Sequence, residues 1–517
     1  MHRFLVVIAS ACVLVGSTVS MSQEPARRQG GRPGGEVASD KPQQSTETAK
    51  PKETEEPPVV TKHSIELPGG PLKYTATTGM MPIRDAEGTT EAQIFYIAYT
   101  RDDAGTGKAR PLMFSFNGGP GSSSVWLHMG ALGPKRVVMP DDATFAKPPF
   151  TLVENPDTWL EFTDLVFIDP VGTGFSRATR PELNKKFHGL RGDIDSIAEF
   201  VRMYLTRNER WNSPLYLVGE SYGTMRAAGL SDALVERGIA LNGIALVSTI
   251  LNFQTTRFGT GNDLPYVLHL PTYAATAWYH KKMPEALQKR EIRDVLKEVE
   301  EWAGGEYARA LERGDRLSAE ERAAVVKRLS DYTGLTPEYV DNSDLRIEIM
   351  RFCKELLRDR KRTVGRLDTR YVGIDENAVE ARPEADPSMS AIRAPYTATF
   401  ASYVRGELNY KSDRHYYILG EGVGPWDFGQ NQGFADTSSA LRDAISKNPF
   451  MKVFVASGYY DLATPYFAAE YTLSHMGLDP AQRALFSNAY YEAGHMMYVH
   501  SPSLKKLAAD VKHFVTP

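Results

Sequence analysis

The chain has 517 residues, of which 42% are hydrophobic and 24% are charged, and its formal net charge is -4. This composition is that of a globular protein, and the length exceeds one small core, so we expect one large domain with insertions or two domains. The small net charge gives no electrostatic basis for binding nucleic acid or an anionic membrane surface.

The N-terminal segment 1–22 has the pattern of a secretory signal peptide. Basic residues in Met1-His2-Arg3 precede an apolar run at 4–16 that is too short to span a bilayer, and small residues suited to cleavage follow. We therefore expect export to the periplasm or the medium, with an uncleaved anchor as the alternative. No other segment of the sequence is long and apolar enough to cross a membrane.

The two cysteines of the sequence are Cys12 and Cys353. Because Cys12 lies in the expected signal peptide, the mature chain should keep one thiol and form no intramolecular disulfide. The sequence Ala9-Ser10-Ala11-Cys12 faintly resembles a lipoprotein cleavage site, so lipidation of Cys12 is a less favoured alternative.

Residues 23–58 form a low-complexity segment with almost no large apolar side chains. Such a segment cannot bury enough surface to fold, so we expect a disordered linker. From Val59 the pattern changes, and the segments 63–77 and 92–99 predict antiparallel strands with alternating faces.

A buried strand at 111–116 ends in the turn Asn117-Gly118-Gly119-Pro120-Gly121. A Gly-Gly turn directly after a strand lets backbone N–H groups point at a ligand, and hydrolases place an oxyanion donor there. An ordinary turn is the alternative. Another short core strand is predicted at 164–168, and the helical spacing of apolar residues predicts a helix over 193–208.

The stretch 215–223 is the chemical centre of the sequence. Four strand-forming residues lead directly into Gly219-Glu220-Ser221-Tyr222-Gly223, and 224–230 is typical of the start of a helix. Strand, sharp turn and helix are the context of a nucleophile elbow, in which a strained serine stands at a helix N-terminus. The alternative is a tight strand–helix turn with an ordinary serine.

A further buried strand is predicted at 243–247. Strands that alternate with helices indicate an α/β fold with a central, mostly parallel sheet flanked by helices. Between 271 and 395 the charge density rises and the periodicity becomes helical. We expect this segment to be an inserted helical cap that divides the catalytic domain into 59–270 and 396–517.

Two residues near the C-terminal end of the chain complete a set of candidate catalytic residues. A strand beginning at 452 leads into Asp461, and His495 follows Gly494 on a late loop. The order Ser221, Asp461, His495 is the order of catalytic residues in α/β-hydrolases.

Each member of this set has a predicted role. Ser221 would be the nucleophile, His495 would take its proton and return it to the leaving group, and Asp461 would orient the imidazole. The backbone N–H groups of Tyr222 and Gly119 would bind the oxyanion. Taken singly, Asp461 could be a turn residue and His495 a buried structural histidine. The rival candidates for the base are His415, His475, His500 and His513.

The sequence gives no basis for a metal or a nucleotide cofactor. It contains neither His-Glu-x-x-His nor Cys-x-x-Cys, and Gly105-Thr106-Gly107-Lys108 lacks the leading glycine of a phosphate-binding loop. We therefore predict no cofactor and no metal site.

Taken together, these motifs resemble those of the serine carboxypeptidase family of the α/β-hydrolase superfamily, in an exported, bacterial-type form. Outside the cap, the resemblance extends from about Leu112 to the C-terminus. The matching pieces are Asn117-Gly118-Gly119-Pro120-Gly121, Asn155-Pro156-Asp157-Thr158-Trp159, Pro170-Val171-Gly172-Thr173-Gly174-Phe175-Ser176, Gly219-Glu220-Ser221-Tyr222-Gly223, Gly458-Tyr459-Tyr460-Asp461 and Gly494-His495-Met496.

The resemblance implies an enzyme that releases single residues from peptides with a free C-terminus. It also implies that Asn117, Gly118 and Glu220 bind the terminal carboxylate of the substrate, with Glu220 protonated. A carboxyl group beside a substrate carboxylate must carry a proton to avoid repulsion, which suits acidic pH.

Three positions depart from the family pattern. Ala131 stands where the family often has a second glutamate that shares the proton, Ser122 replaces a cysteine, and Ser115 replaces a tryptophan. With one of the paired acids absent, we predict a weaker preference for acidic pH than is usual in the family. The altered carboxylate site leaves an esterase or acyltransferase on the same scaffold as one alternative, and an inactive binding protein as another.

Overall fold

The computed structural model describes residues 55–102, 110–429 and 433–516. The predicted signal peptide, 1–22, and most of the predicted linker, 23–58, lie outside these residues, so both stay predictions. The strands are β1 (Val59–Leu67), β2 (Gly70–Arg84), β3 (Thr90–Arg101), β4 (Leu112–Phe116), β5 (Lys135–Val137), β6 (Leu152–Glu154), β7 (Asp164–Ile168), β8 (Arg177–Ala178), β9 (Leu215–Glu220), β10 (Gly243–Val247), β11 (Thr363–Val364), β12 (Val372–Gly373), β13 (Lys452–Gly458) and β14 (Phe486–Tyr491).

Ten of the described strands form one mixed sheet. Their order is β1-β2-β3-β7-β4-β9-β10-β13-β14, and β8 pairs with the edge of β3. The strands from β7 to β14 in this order pair in parallel, whereas β1, β2, β3 and β7 pair antiparallel. Strands β5 and β6, and strands β11 and β12, form two small antiparallel sheets.

Helices cover both faces of the sheet. Within the described residues the α-helices are α1 (Val125–Leu127), α2 (Asn184–Phe187), α3 (Leu190–Arg207), α4 (Tyr222–Glu236), α5 (Leu264–Tyr279), α6 (Glu285–Gln288), α7 (Ile292–Trp302), α8 (Ala308–Arg313), α9 (Ala319–Thr333), α10 (Pro337–Asn342), α11 (Ile349–Glu355), α12 (Pro387–Gly406), α13 (Ser438–Lys447), α14 (Tyr466–Ser474), α15 (Pro480–Arg483) and α16 (Ser501–Val515). Segments His128–Leu132 and Ala303–Tyr307 are π-helical.

The alternation of side chains along the strands produces two cores. Met113 and Leu165 pack with helices α12 and α16 on one face of the sheet, whereas their neighbours Phe114 and Val166 pack with helices α3, α4 and α13 on the other. Strands that are covered on both faces are mostly apolar, which explains their nearly continuous hydrophobic runs. This is the predicted α/β-hydrolase arrangement, with a mostly parallel sheet flanked by helices.

Strands β10 and β13 are neighbours in the sheet but lie far apart in sequence. Helices α5 to α13 lie between them in the chain, and a third apolar core holds helices α5, α7 and α9 together. The expected limits of the cap, 271 and 395, both fall inside helices, since Pro271 lies within α5 and Pro395 within α12. The division of the chain into catalytic domain and cap stays a prediction.

Two observed strand features differ from the predicted strands, because the periodicity of apolar residues marks neither of them. The segment 63–77 is part of a hairpin, in which Leu67 pairs with Gly70 and the chain reverses between β1 and β2. Strand β14 leads towards His495 and was not predicted, because its partly exposed residues lack a continuous apolar run. Among the described residues, no helix has the length and apolar character needed to span a bilayer.

Candidate active site

Ser221 lies at the sharp turn between strand β9 and helix α4. Its backbone has φ 60° and ψ -131°, a conformation that costs a non-glycine residue about 1–3 kcal/mol. The turn is held because the Ser221 N–H donates to the carbonyl of Val247 over 3.0 Å, and Thr224 donates to the Ser221 carbonyl from both its N–H and its hydroxyl. The predicted nucleophile elbow therefore has the expected strand–turn–helix geometry.

Glycines allow the backbone segments at this turn to approach one another. A Cβ atom at Gly219 would lie 2.1 Å from the carbonyl oxygen of Gly223, and one at Gly118 would lie 2.5 Å from the backbone nitrogen of Tyr222. Side chains at these positions would force the turn apart. The Gly-Gly turn after β4 is thus packed directly against the elbow.

His495 and Asp461 are brought together by the loops that follow β14 and β13. The Nδ1 atom of His495 lies 2.7 Å from Oδ2 of Asp461, and both side chains are buried. The N–H groups of Ala463 and Thr464 donate to Oδ1 of Asp461, so the carboxylate is fixed by its own loop. None of the four rival histidines, all of which the structure describes, makes this contact with Asp461.

The environment of His495 alters its basicity. Burial alone would lower the pKa of the imidazole, but the Asp461 carboxylate and its hydrogen bond outweigh burial, so the pKa of His495 lies above its ordinary value. The backbone of His495 is also held, because its N–H donates to Leu367 and its carbonyl accepts from the hydroxyl of Ser248. The ring is therefore fixed in position with Nε2 left for another partner.

Glu220 is buried beside the elbow, and both of its carboxyl oxygens are hydrogen-bonded. Asn117 donates from Nδ2 to Oε1 over 2.9 Å, and the Tyr498 hydroxyl donates to Oε2 over 2.5 Å. Burial raises the pKa of Glu220 to about 7, although His495 and the two hydrogen bonds act in the opposite direction. The carboxyl group is accordingly neutral in acidic solution.

Tyr498, which donates to Glu220, could not be identified as a site residue from the sequence. Its ring packs against Gly130, where an added Cβ atom would lie 2.4 Å from the ring, next to the buried Ala131. The tyrosine therefore occupies the neighbourhood of the missing second acid. No motif marked it, since it is one of 25 tyrosines in the chain.

A cavity of about 140 Å³ opens at the elbow. Six of the predicted site residues line it, and Asp461 lies behind His495, away from the cavity. The N–H of Tyr222 occupies the first position of helix α4 and so has no partner within the helix. The predicted residues on the cavity wall are Asn117, Gly118, Gly119, Glu220, Ser221 and His495.

The rest of the cavity wall is apolar apart from Arg366 and Ser122. Five apolar side chains, from α12 and from neighbouring loops, contribute to it together with Trp126 and Ser122. Arg366 was not predicted as a site residue, because the sequence around it matches no motif. The apolar side chains are Leu367, Met389, Ile392, Leu419 and Met496.

Comparison with known proteins gives one family match. A family model described as serine carboxypeptidase matches residues 68–508. Serine carboxypeptidase-like 2 from Arabidopsis thaliana is 34% identical over 160 residues, which are 30% of this chain and 34% of that protein. Pheromone-processing carboxypeptidase kex1 from Talaromyces marneffei is 35% identical over 130 residues, which are 23% of this chain and 18% of that protein.

The chain thus spans about a third of the length of the first of these curated relatives. Among solved structures, the prohormone-processing carboxypeptidase Kex1(Δ)p from Saccharomyces cerevisiae superposes with a TM-score of 0.53 at 16% identity. The superposition covers 85% of this chain and 91% of the yeast chain. At that identity, the likeness shows a shared fold.

Proposed function

Because the chain belongs to the serine carboxypeptidase family, we propose that it is a carboxypeptidase that removes single residues from the C-termini of peptides. The observation that carries this proposal is the cavity shared by the strained Ser221, the Asp461-bound His495 and the Asn117–Glu220 pair. A nucleophile with its base and a group able to hold a terminal carboxylate are together what this reaction requires.

Acylation would begin when His495 Nε2 takes the hydroxyl proton of Ser221. The Ser221 oxygen bonds to the carbonyl carbon of the last peptide bond, and the resulting oxyanion accepts hydrogen bonds from the N–H groups of Gly119 and Tyr222. The C–N bond then breaks, and His495 returns the proton to the leaving amine. The C-terminal amino acid leaves, and the shortened peptide remains as an ester on Ser221.

Deacylation repeats these steps with water. His495 takes a proton from water, the oxygen bonds to the ester carbon, and the Ser221 oxygen leaves with the proton that His495 returns. Asp461 stabilises the imidazolium in both halves of the reaction, consistent with its effect on the pKa of His495. The net reaction consumes one water for each peptide bond broken.

Substrate selection would depend on Glu220 and Asn117. A neutral Glu220 can turn its proton towards a substrate carboxylate, and Asn117 has a second N–H besides the one bound to Glu220. Gly118, packed against the elbow, would let that carboxylate approach the backbone. Since burial raises the pKa of Glu220 to about 7, this form persists nearly to neutral pH.

The test is release of the C-terminal amino acid from an N-blocked dipeptide, measured across pH. We expect release by the wild type, none by Ser221→Ala, and a much lower kcat/KM for the amidated peptide. Cleavage of the peptide and its amide at equal rates would contradict the carboxypeptidase proposal.

An esterase or acyltransferase is the second candidate, because the buried Ala131 removes the second acid of the carboxylate site. Ser221-dependent cleavage of an ester, without any peptide cleavage, would select it. Absence of labelling by a serine-directed fluorophosphonate would instead select an inactive binding protein.

We also infer export, on the pattern of residues 1–22 alone. Sequencing the N-terminus of protein recovered from the periplasm or the medium tests this. A mature chain that begins after residue 22 is expected, and recovery of full-length chain from the cytosol would contradict export.

A further inference from the structure

Arg366 lies on the wall of the catalytic cavity and is half-buried. Its backbone is fixed at both ends, because its N–H donates to Oδ1 of Asp386 and its carbonyl accepts from the N–H of Leu462. Asp386 caps helix α12, and Leu462 follows the predicted catalytic Asp461. The guanidinium is thus carried by a segment that is tied to the active-site loops.

The Arg366 guanidinium has no carboxylate partner within the described residues. Other buried arginines of the chain are paired: Arg226 with Asp193 at 2.8 Å and Arg370 with Asp368 at 2.7 Å. A half-buried cation on a cavity wall, without a carboxylate partner, favours the entry of an anion.

The acidic groups near Arg366 are already engaged. The Asp386 carboxylate accepts from the backbone N–H groups of Arg366 and Leu367 and from Ser388. Both oxygens of Glu220 accept from Asn117 and Tyr498. No side-chain carboxylate in the described residues reaches the Arg366 guanidinium, which leaves it available to a carboxylate of the substrate.

The position of Arg366 indicates which part of the substrate it meets. Its charge acts on His495, where it opposes the protonated form of the imidazole. His495 has to deliver a proton to the leaving amine, so the leaving residue lies on the His495 side of the cavity. A guanidinium also matches a planar carboxylate with two parallel hydrogen bonds.

We propose that Arg366 binds a carboxylate of the leaving residue, which rests on the proposed carboxypeptidase function. Two carboxylates meet this description: the terminal one, which every free peptide carries, and the side chain of a C-terminal glutamate or aspartate. Binding the terminal carboxylate would add a positively charged partner to a carboxylate site in which Ala131 stands at the position of a second acid. Binding a side chain would make the enzyme selective for acidic C-terminal residues.

Three N-blocked dipeptides distinguish the two sources: one ending in glutamate, one ending in glutamine, and the amide of the second. We expect Arg366→Gln to lower one of two ratios of kcat/KM values, either that of glutamine acid to glutamine amide or that of glutamate to glutamine. The expected fall is about 10- to 100-fold, the range for a charge-assisted hydrogen bond. A fall in the ratio of glutamine acid to glutamine amide assigns the terminal carboxylate. A fall in the ratio of glutamate to glutamine assigns the side chain.

Two further variants separate recognition from general damage. Arg366→Lys keeps the positive charge but lacks the two parallel N–H donors of the guanidinium, so it should restore part of the lowered ratio of kcat/KM values. Arg393→Gln is the matched control, because Arg393 follows the cavity residue Ile392 on helix α12 but is exposed and paired with Glu421. It should leave both ratios unchanged. Equal losses on all three peptides in Arg366→Gln, or no loss, would overturn the proposal.

A binding measurement keeps this inference separate from the proposed function. Calorimetric titration of Ser221→Ala with the same peptides reports recognition without turnover. If the wild type cleaves no peptide, the proposed function fails. The role of Arg366 is still supported if Ser221→Ala binds one carboxylate preferentially and Ser221→Ala/Arg366→Gln loses that preference. A double variant that keeps the preference refutes the role of Arg366 even in an active peptidase.

Discussion

Tyr498 donates its hydroxyl proton to Oε2 of Glu220 over 2.5 Å, while Asn117 holds the other oxygen of the same carboxyl group. In the family that this chain resembles, a second acid often shares the proton of the glutamate, and here Ala131 occupies that position. A tyrosine keeps its proton at acidic and neutral pH, so neither hydrogen-bond partner of Glu220 in the described residues is an acid that could share its proton. Under the proposed function, the pH dependence of terminal-carboxylate binding should therefore follow the titration of Glu220.

Substitution Tyr498→Phe is expected to shift the pH profile upward. The lost hydrogen bond stabilises the charged form of Glu220, so its removal raises the pKa of that group further above its ordinary value. Under the proposed function a neutral Glu220 binds the substrate carboxylate, so peptide cleavage should then persist to higher pH. The measurement is kcat/KM for an N-blocked dipeptide as a function of pH, with the alkaline limb as the quantity compared.

Tyr396→Phe is the matched control for this prediction. Tyr396 is buried against the same Gly130, but its hydroxyl makes no hydrogen bond to Glu220 in the described residues. The alkaline limb of this variant should coincide with that of the wild type. A limb that moves downward in Tyr498→Phe, or moves equally in both variants, would refute the assigned contact.

Substitution Glu220→Gln is expected to remove the alkaline limb of the pH profile of peptide cleavage, that is, the fall in kcat/KM towards high pH. The wild-type carboxyl group loses its proton near pH 7 and then repels the substrate carboxylate, whereas an amide can donate a hydrogen bond at every pH. The variant should therefore cleave peptides above pH 7 faster than the wild type does. An ester without a carboxylate should show no such limb in either protein. Persistence of the limb in Glu220→Gln would assign it to another group.

The elbow could be predicted from the sequence because its geometry is local. A Gly-x-Ser-x-Gly between a strand and a helix allows few conformations, and the positive φ of Ser221 is the expected one. The contact between Asp461 and His495 could be expected from their order in the chain, which a parallel sheet converts into proximity at one edge.

Tyr498 and Arg366 could not be predicted in the same way. Each reaches the cavity through contacts between distant segments, Tyr498 by packing on Gly130 and Arg366 by the ties of its backbone to Asp386 and Leu462. Neither residue has a local pattern that differs from an ordinary tyrosine or arginine. The predicted limits of the cap, 271 and 395, depend on prolines in a similar way, since Pro271 interrupts the sequence pattern without ending helix α5.

Substitution Asp461→Asn tests the predicted role of the carboxylate. An asparagine can hold the imidazole in the wrong tautomer, and it lacks the charge that raises the pKa of His495. We expect kcat for peptide cleavage to fall by about 10⁴-fold. Labelling of Ser221 by a fluorophosphonate should slow in parallel, with an unchanged near-ultraviolet circular dichroism spectrum. A loss of less than tenfold would mean that Asp461 does not support His495.

The ion pair of Asp193 and Arg226 should dominate the stability of the segment behind the elbow. Both side chains are almost fully buried, and Arg226 also donates to the carbonyl of Asn117 over 2.6 Å. Asp193→Ala leaves the Arg226 charge buried without a counter-ion, so we expect the free energy of unfolding to fall by about 3–5 kcal/mol. Asp195→Ala, in the same helix, removes an exposed partner of Arg237 and should cost less than about 1 kcal/mol.

Urea unfolding of the two variants measures the difference in the free energy of unfolding. Equal losses would show that the buried pair contributes no more than the exposed one, whereas a large loss confined to Asp193→Ala, with reduced peptide cleavage, would link the pair to the position of Asn117.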